Sequence, residues 1–206
     1  MLAGVQAQGR MALGVEIGKV VSSRSHLDYV CQVYQAGESA HPPDPADYAF
    51  GSFVGLSGGA IGIVADSLLQ NPDFGAIGPR LNPGTAETRV FTPDLLDEQA
   101  TLVTVLALGN LGEPHGVHGV PREVIPLHSP VVCLDDEAIA RFHTDATGRL
   151  QLRYFPLIQS HGGPASASLL LAVLDRLEAL WPPERARLGV LRQALNWQRT
   201  ILPVRS

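Results

Sequence analysis

The chain has 206 residues, of which 45% are hydrophobic and 17% are charged, so it can form one domain with an appendage or two small domains. Its formal net charge of −5 argues against a broad basic surface that grips nucleic-acid phosphates over many contacts. No window approaches 18 uninterrupted apolar residues, and the N-terminus lacks the apolar core of a signal peptide. These features predict a cytoplasmic protein that does not associate with membranes.

A flexible arm over residues 1–12 is expected to precede four short β-strands. The strands are predicted from apolar runs at 13–23, 27–34, 50–56 and 60–67. Alternation is clearest in the second run, which would place Leu27, Tyr29, Cys31 and Val33 on one face and the residues between them on the other. The Ser57-Gly58-Gly59 segment suits a hairpin turn that tolerates positive φ. Proline and glycine predict long loops over 36–49 and 71–92.

Further short elements follow the second loop. We predict a helix over 92–98, where a threonine and a proline stand at the expected cap and first helical positions. Next we predict a strand over 101–108 and extended segments over 120–127 and 129–134. A helix with acidic residues in its first turn is expected over 135–142. The fold class is therefore predicted as α+β, with a small antiparallel β-barrel domain over residues 13–145.

Residues 146–206 are predicted to form a C-terminal helical hairpin. The first helix carries apolar residues at steps of three and four from Leu170 to Trp181, and Pro182-Pro183 ends it. The second helix is apolar over more than half its circumference, with one row through Leu188 and a second row of Val190, Ala194, Trp197 and Ile201. A hairpin with that much apolar surface must pack on the barrel, on a partner or on both. The predicted interface residues are Leu188, Leu191, Leu195, Trp197 and Ile201.

Parts of the chain resemble a known barrel family. The stretches Gly18 to Tyr34, Tyr48 to Val54 and Ile61 to Asp66 resemble the HAS-barrel, the N-terminal barrel shared by HerA-type DNA translocases and the catalytic subunits of rotary ATP synthases. Residues 122–139 are similar to the Pro-rich strand and acidic helix that close that barrel. The resemblance implies a barrel that forms a ring crown or docks accessory proteins, while a separate motor domain hydrolyses ATP.

The motor itself has no counterpart in the sequence. A P-loop needs the pattern GxxxxGK[ST], in which backbone amides cradle the phosphates and the lysine meets the terminal ones. The only lysine in the chain is Lys19, inside a predicted strand. We therefore expect a non-catalytic assembly or docking module of HAS-barrel type, accessory to a DNA-processing or ATPase complex. A protein partner or self-association is expected, with nucleic acid reached only through the complex.

One glycine-rich segment is a candidate ligand site. Its residues lead into a predicted helix, where free amides and the positive end of the helix dipole favour a phosphate or carboxylate; they are Ser160, His161, Gly162 and Gly163. A capped helix start explains the same residues without any ligand.

The remaining polar clusters predict no catalytic, metal or cofactor site. His115, His118 and His128 lie near two glutamates, but spacing along a loop fixes no tetrahedral geometry. The serines and His26 within residues 22–26 suit turn hydrogen bonds better than a nucleophile and base. Cys31 and the other cysteine form no CxxC and are expected to be reduced and buried.

Two alternative functions remain open. A small hydrolase or nucleotide-binding enzyme would gather the loops 36–48, 109–121 and 160–164 around a cleft at one barrel end. Single-stranded nucleic-acid binding would need an exposed aromatic barrel face beside arginines, for which the candidates are Arg24, Arg80, Arg89 and Arg122.

Overall fold

The computed structural model describes residues 14–35, 37–70 and 100–201, and the side chains of these residues up to Trp197. The predicted N-terminal arm, the predicted helix over 92–98 and the loop over 71–92 lie outside the described residues. So do Arg80 and Arg89, two of the arginines in the nucleic-acid hypothesis.

Antiparallel strands form most of the first half of the described chain. Their bounds are β1 Glu16–Ser23, β2 Asp28–Val33, β3 Phe53–Gly55, β4 Ala60–Gln70, β5 Ala100–Asn110, β6 Val117–His118 and β7 Pro130–Cys133. All pairings among them are antiparallel. Each strand predicted from an apolar run overlaps one of these observed strands. The predicted ranges were 13–23, 27–34, 50–56, 60–67 and 101–108.

Six of these strands close into a barrel in the order β1, β2, β5, β4, β3, β7 and back to β1. Closure depends on the pairing of β2 with β5, in which Tyr29 lies opposite Val105. Bulges between Glu16 and Gly18 and between Val20 and Ser22 interrupt the register of β1. Because a bulge bends and twists its strand, these two help β1 to curve between its neighbours. The predicted small antiparallel barrel is confirmed.

The alternation of β2 sets its inward face. The four residues predicted to share one face are buried, and the residues between them within the strand are only partly buried. Gly58 and Gly59 have φ values of 71° and 72° in a short 3₁₀ turn between β3 and β4, so the predicted hairpin turn is confirmed. These local patterns are visible in sequence because side chains alternate with a period of two.

The segment before β7 differs from the prediction. Residues 120–127 form no strand, whereas Val117–His118 forms the short β6, which pairs with the end of β5. Gly109 permits this pairing because its φ is 153° and a Cβ there would lie 2.1 Å from the Val117 carbonyl oxygen. A two-residue strand has no periodicity of its own, so only its partner reveals it.

Four α-helices follow in the described part of the chain. They are α1 Asp136–His143, α2 Phe155–His161, α3 Ser166–Leu180 and α4 Arg185–Ile201. Asp135 caps α1 by accepting a hydrogen bond from the Ala138 amide at 2.8 Å, as the acidic start of that helix predicts. The proline pair forms the 3₁₀ turn Pro182–Glu184 between α3 and α4. α2 is an addition to the predicted two-helix hairpin.

The helices and the barrel share one hydrophobic core. Buried residues of β1 to β5 and β7, and of α1 to α4, belong to a single connected cluster. Leu170, Val173, Leu174 and Leu177 form the buried face of α3, as its periodicity predicts. The helical part therefore stabilises the barrel through a continuous apolar interior.

Candidate functional site

A buried histidine is the most chemically distinctive side chain of the core. His143, in the last turn of α1, is completely buried. Its Nδ1 lies 2.8 Å from the Ile139 carbonyl oxygen, and its Nε2 lies 2.6 Å from the Tyr154 hydroxyl. A carbonyl oxygen can only accept, so Nδ1 carries the proton and Nε2 accepts the hydrogen bond from Tyr154.

His118 of β6 is bound in the opposite tautomer. Its Nε2 donates to the Phe142 carbonyl oxygen at 2.9 Å, and its Nδ1 accepts from the Arg153 amide at 3.2 Å. Its ring centroid lies 5.6 Å from that of His143 and 4.8 Å from that of Tyr154. The two imidazoles and the phenol form one cluster, with every ring nitrogen already hydrogen-bonded.

Burial keeps this cluster neutral. It lowers the pKa of His143 to about 3 and the pKa of His118 to about 4. Burial also raises the pKa of Tyr154 well above its usual range. A general base needs a free nitrogen lone pair within reach of a substrate, and here both acceptor nitrogens are used inside the protein. We interpret the cluster as a structural polar core.

Replacing Tyr154 with phenylalanine tests this interpretation. The change removes the hydroxyl that donates to His143 Nε2, leaving a buried acceptor unsatisfied, which costs about 1–3 kcal/mol of unfolding free energy. Urea denaturation should show a lower midpoint with an unchanged slope. The matched change Tyr34→Phe, which removes an exposed hydrogen bond to Glu16, should cost far less. Equal losses in the two variants would contradict the buried-network interpretation.

A groove lies between the barrel and α3. It encloses about 500 Å³, within the size range of small-ligand pockets, roughly 300–1,000 Å³. Buried Phe53, Leu134 and Ile139 contribute to its apolar wall. Phe50, which is 44% exposed, and Ala172 of α3 also line it. We call this feature the α3 groove.

Charged groups and a thiol complete the α3 groove. Asp47, Asp175 and Arg176 line it together with the half-buried Cys133. Burial raises the pKa of the Cys133 thiol, the nearby Asp47 raises it further, and Arg176 opposes them. A protonated thiol is a poor nucleophile, so the groove is better suited to binding than to covalent chemistry.

The outer face of α4 is the second notable surface. Leu188 and Leu195 are buried within the chain, and Leu191 packs partly against the core. The other helical row points outward: Val190 and Trp197 are each 66% exposed, and Ala194 is exposed between them. We call Val190, Ala194 and Trp197 the α4 outer face.

The match to known families covers almost the whole chain. A family model described as Domain of unknown function (DUF8166) matches residues 2–204. The chain belongs to the DUF8166 family. No curated protein matches the sequence. The DUF8166 match takes in the barrel, the helices, the α3 groove and the α4 outer face together.

The predicted interface of this DUF8166 protein is divided by the fold. Leu188, Leu191 and Leu195 contribute to the chain's own core, so in this conformation they are not an external surface. Trp197 is exposed as an interface residue should be, and the side chain of Ile201 lies outside the described residues. Sequence periodicity finds both apolar rows, but only packing decides which row the rest of the chain covers.

The predicted anion site lies at a helix end. Ser160 and His161 are in the last turn of α2, and Gly162 caps that end by donating to the Ile158 carbonyl at 2.7 Å. The Ser160 hydroxyl lies 3.0 Å from the Pro156 carbonyl oxygen, to which it donates. The C-terminal end of a helix is the negative end of its dipole, so Ser160 and His161 gain no anion affinity from α2. Gly163, with a φ of 59°, starts the 3₁₀ turn before α3.

The other sequence candidates take part in local structure. The Ser25 hydroxyl accepts hydrogen bonds from the amides of Leu27 and Asp28, both at 3.2 Å, which confirms the turn interpretation. His26 Nε2 lies 2.7 Å from the Pro121 carbonyl oxygen. Across the described ranges, no group of three or more His, Cys, Asp or Glu side chains is placed to hold a metal ion. None of the described helices combines the length and apolarity needed to cross a bilayer.

The loops of the enzyme hypothesis do not meet at the α3 groove. The groove takes Ala46 and Asp47 from the loop 36–48, whereas none of its lining residues comes from 109–121 or 160–164. Its other lining residues come from β3 and the segment leading into it, from the end of β7 and the residue after it, and from α1 and α3. The nucleic-acid hypothesis needs exposed aromatic residues on the barrel, and two strand aromatics, Tyr29 and Phe53, are instead buried.

Sequence reasoning missed the cluster around His143. Neither His143 nor Tyr154 belongs to a motif, and the two are joined across a bend of the chain that includes the Thr144–Leu150 bridge. Gln151 also stabilises this bend, because its amide donates to the Gly116 carbonyl at 2.8 Å and to the Thr144 carbonyl at 3.2 Å. The only sequence signal is a histidine on the apolar side of a short helix.

Proposed function

We propose that this DUF8166 protein is a non-catalytic assembly or docking module of HAS-barrel type that associates with a second copy of itself through the α4 outer face. Its setting would be a cytoplasmic DNA-processing or ATPase complex, as the sequence resemblance implies. The single observation that carries the proposal is the exposure of Trp197 and Val190 on a helix whose opposite side is buried through Leu188 and Leu195.

The α4 outer face has the composition of an interface centre. Val190, Ala194 and Trp197 are spaced by four and three residues, so they lie along one side of the helix. Tryptophan is enriched among the residues that dominate binding energies, and charged residues are depleted from interface centres. A single exposed apolar residue needs no explanation, but an aligned row on an otherwise amphipathic helix favours a partner.

The fold supports an assembly role in a second way. Closure through β2 and β5 uses hydrogen-bonding groups that an open sheet would leave at its edges. The polar groups that most resemble catalytic residues, His143, His118 and Tyr154, bind each other or the backbone. The accessible outer surface is therefore the part best suited to specific contact.

Changing Trp197 to arginine is expected to weaken self-association at least tenfold. The new charge would have to be desolvated at the centre of the contact. Sedimentation equilibrium of the purified full chain should show a concentration-dependent oligomer for the wild type and a monomer for Trp197→Arg. Circular dichroism should show the same helix content in both, since the position is exposed.

The matched control is Val124→Arg, at a loop position that is also 66% exposed. This variant should assemble like the wild type. A wild-type chain that stays monomeric at high concentration would contradict self-association. So would an assembly that Val124→Arg disrupts and Trp197→Arg leaves intact.

A further inference from the structure

We propose that residues 112–119 form a strap over His143 and Tyr154, and that this strap opens locally when His118 becomes protonated. The strap comprises the turn after β5, strand β6 and Gly119. It lies between the end of β5, with which β6 pairs, and the C-terminal end of α1. This device is separate from the α4 outer face and does not depend on self-association.

Hydrogen bonds, rather than apolar packing, hold the strap in place. Its apolar side chains are those of Pro114 and Val117, and both residues are exposed. Gly116 is the strap residue that is buried. Because the strap buries little apolar surface of its own, it can separate from the fold at a lower free energy than the barrel unfolds.

The strap covers the C-terminal end of α1. The Gly116 amide donates to the Arg141 carbonyl oxygen at 3.3 Å, and His118 Nε2 donates to that of Phe142 at 2.9 Å. The last carbonyl groups of a helix lack partners in the helix itself, so the strap helps to satisfy two of them. The approach is close, since a Cβ on Gly116 would lie 2.1 Å from the Phe142 carbonyl oxygen.

His118 joins the strap to a second segment as well. Its Nδ1 accepts a hydrogen bond from the Arg153 amide at 3.2 Å. A protonated imidazole has a hydrogen on each nitrogen and can only donate. It could still donate to the Phe142 carbonyl oxygen, but its Nδ1–H would then face the Arg153 N–H. Protonation therefore replaces one of the two hydrogen bonds of His118 with a contact between two donors.

The groups around His118 also disfavour a positive charge. Within the described ranges, the charged and titratable groups that face it are Arg153, His143 and Tyr154. Arg153 repels a protonated imidazole, and the Tyr154 hydroxyl already donates to His143. In the opened strap, water would solvate the charge and weaken the repulsion. A proton therefore binds more strongly to the open form than to the closed one.

Opening would uncover an aromatic surface. The His118 ring centroid lies 4.4 Å from that of Phe142 and 4.8 Å from that of Tyr154. Phe142 and Tyr154 are completely buried while the strap is closed. Acid would thus expose rings that the closed chain hides, without requiring the barrel to unfold.

Amide hydrogen exchange of the full chain, followed by NMR, tests the strap. The strap reporters are the amides of Gly116 and Gly119, and the barrel reporter is the Ala107 amide, which donates to the Leu27 carbonyl oxygen at 2.8 Å. Each rate is compared with that of an unstructured peptide at the same pH, which removes the chemical effect of pH on exchange. From pH 7 to pH 5, strap protection should fall about twentyfold, because the pKa of His118 is about 4 when closed and about 6.5 in water.

Low concentrations of urea separate local opening from global unfolding. Ala107 should lose protection with the slope of global unfolding, since its exchange requires the barrel to open. Gly116 and Gly119 should exchange faster than Ala107 and respond little to urea, because a local opening exposes little surface. Equal protection and equal urea slopes for strap and barrel amides would overturn the proposal. So would strap amides without protection at pH 7.

Two histidine variants assign the pH dependence. His118→Gln keeps a hydrogen-bonding side chain but removes the proton-binding group, so its strap protection should change by less than about twofold from pH 7 to pH 5. This expectation holds whatever the level of protection at pH 7. His115→Gln is the matched control, because it removes the other histidine of the strap and should retain the wild-type fall. A fall that persists in His118→Gln, or that is absent from the wild type, would show that His118 does not control the strap.

Discussion

Gly18→Val is expected to prevent stable folding. Gly18 lies opposite Val33 in the β1–β2 ladder, and a Cβ at this position would lie 1.9 Å from the Gln32 carbonyl oxygen. That neighbour is backbone, so it cannot move aside without breaking a pairing on which barrel closure depends. Changes of this kind cost more than about 4 kcal/mol, a large share of the roughly 5–15 kcal/mol that stabilises a typical domain. Urea denaturation, followed by circular dichroism, measures the loss.

The matched control is Gly189→Ala, at a glycine with no atom of the described chain near its missing Cβ. Below the concentration at which copies associate, this variant should gain about 0.5–1 kcal/mol, because alanine is the better helix former. A Gly18→Val chain with wild-type stability would contradict the close approach of β1 and β2.

Acidification is expected to destabilise the fold between pH 6.5 and about 4. Unfolded histidine has a pKa of about 6.5, whereas burial lowers the pKa of His118 to about 4 and that of His143 to about 3 in the folded chain. The unfolded state therefore binds more protons in this interval, and stability falls as the pH falls. Each histidine contributes up to about 1.4 kcal/mol per pH unit while only its unfolded form is protonated.

Urea midpoints measured from pH 7.5 to 4.5 test this dependence. The wild type should be nearly flat above pH 7 and should lose stability progressively below 6.5. His118→Gln should show a shallower slope over the same interval, even if its stability at neutral pH is lower. His41→Gln, which changes an exposed histidine, should retain the wild-type slope. A wild-type stability that does not change from pH 6.5 to 4.5 would contradict neutral histidines in the core.

Asp145 affects the free energy of unfolding at lower pH than the two histidines do. Hydrogen bonds from the Thr147 hydroxyl and from the amides of Arg149 and Thr147 lower the pKa of Asp145 to about 2. The stabilisation that this carboxylate provides is present above the ordinary aspartate pKa of about 4 and is lost as the pH falls towards 2. The histidine effect is therefore read above pH 4.5, before Asp145 contributes.

Much of the barrel could be predicted because its signals are local. The alternation through Tyr29 and Cys31 follows from the two-residue period of a strand. The turn at Gly58 and Gly59 follows from the positive φ that glycine permits. Strand β6 was missed because two residues carry no period. The extended segment expected over 120–127 forms no strand, because an apolar loop has the same composition as an extended segment.

The candidate surfaces were less predictable. Both apolar rows of α4 follow from its periodicity, yet the row of Leu188 became core and the row of Trp197 stayed outside. The α3 groove joins the loop before β3, the end of β7, α1 and α3, and no pattern in one segment indicates that junction. His143 and Tyr154 are likewise brought together only by the bend between α1 and α2.

For this DUF8166 protein, the amino-acid order alone indicates the longer barrel strands, the proline pair that separates α3 from α4, and which helical rows are apolar. These properties depend on neighbours within a few residues, through backbone sterics and side-chain periodicity. Tertiary structure decides which strands close the barrel, which histidines are buried away from water and which helical row remains exposed. Each of those outcomes depends on which distant surfaces exclude water from one another, and no local pattern contains that information.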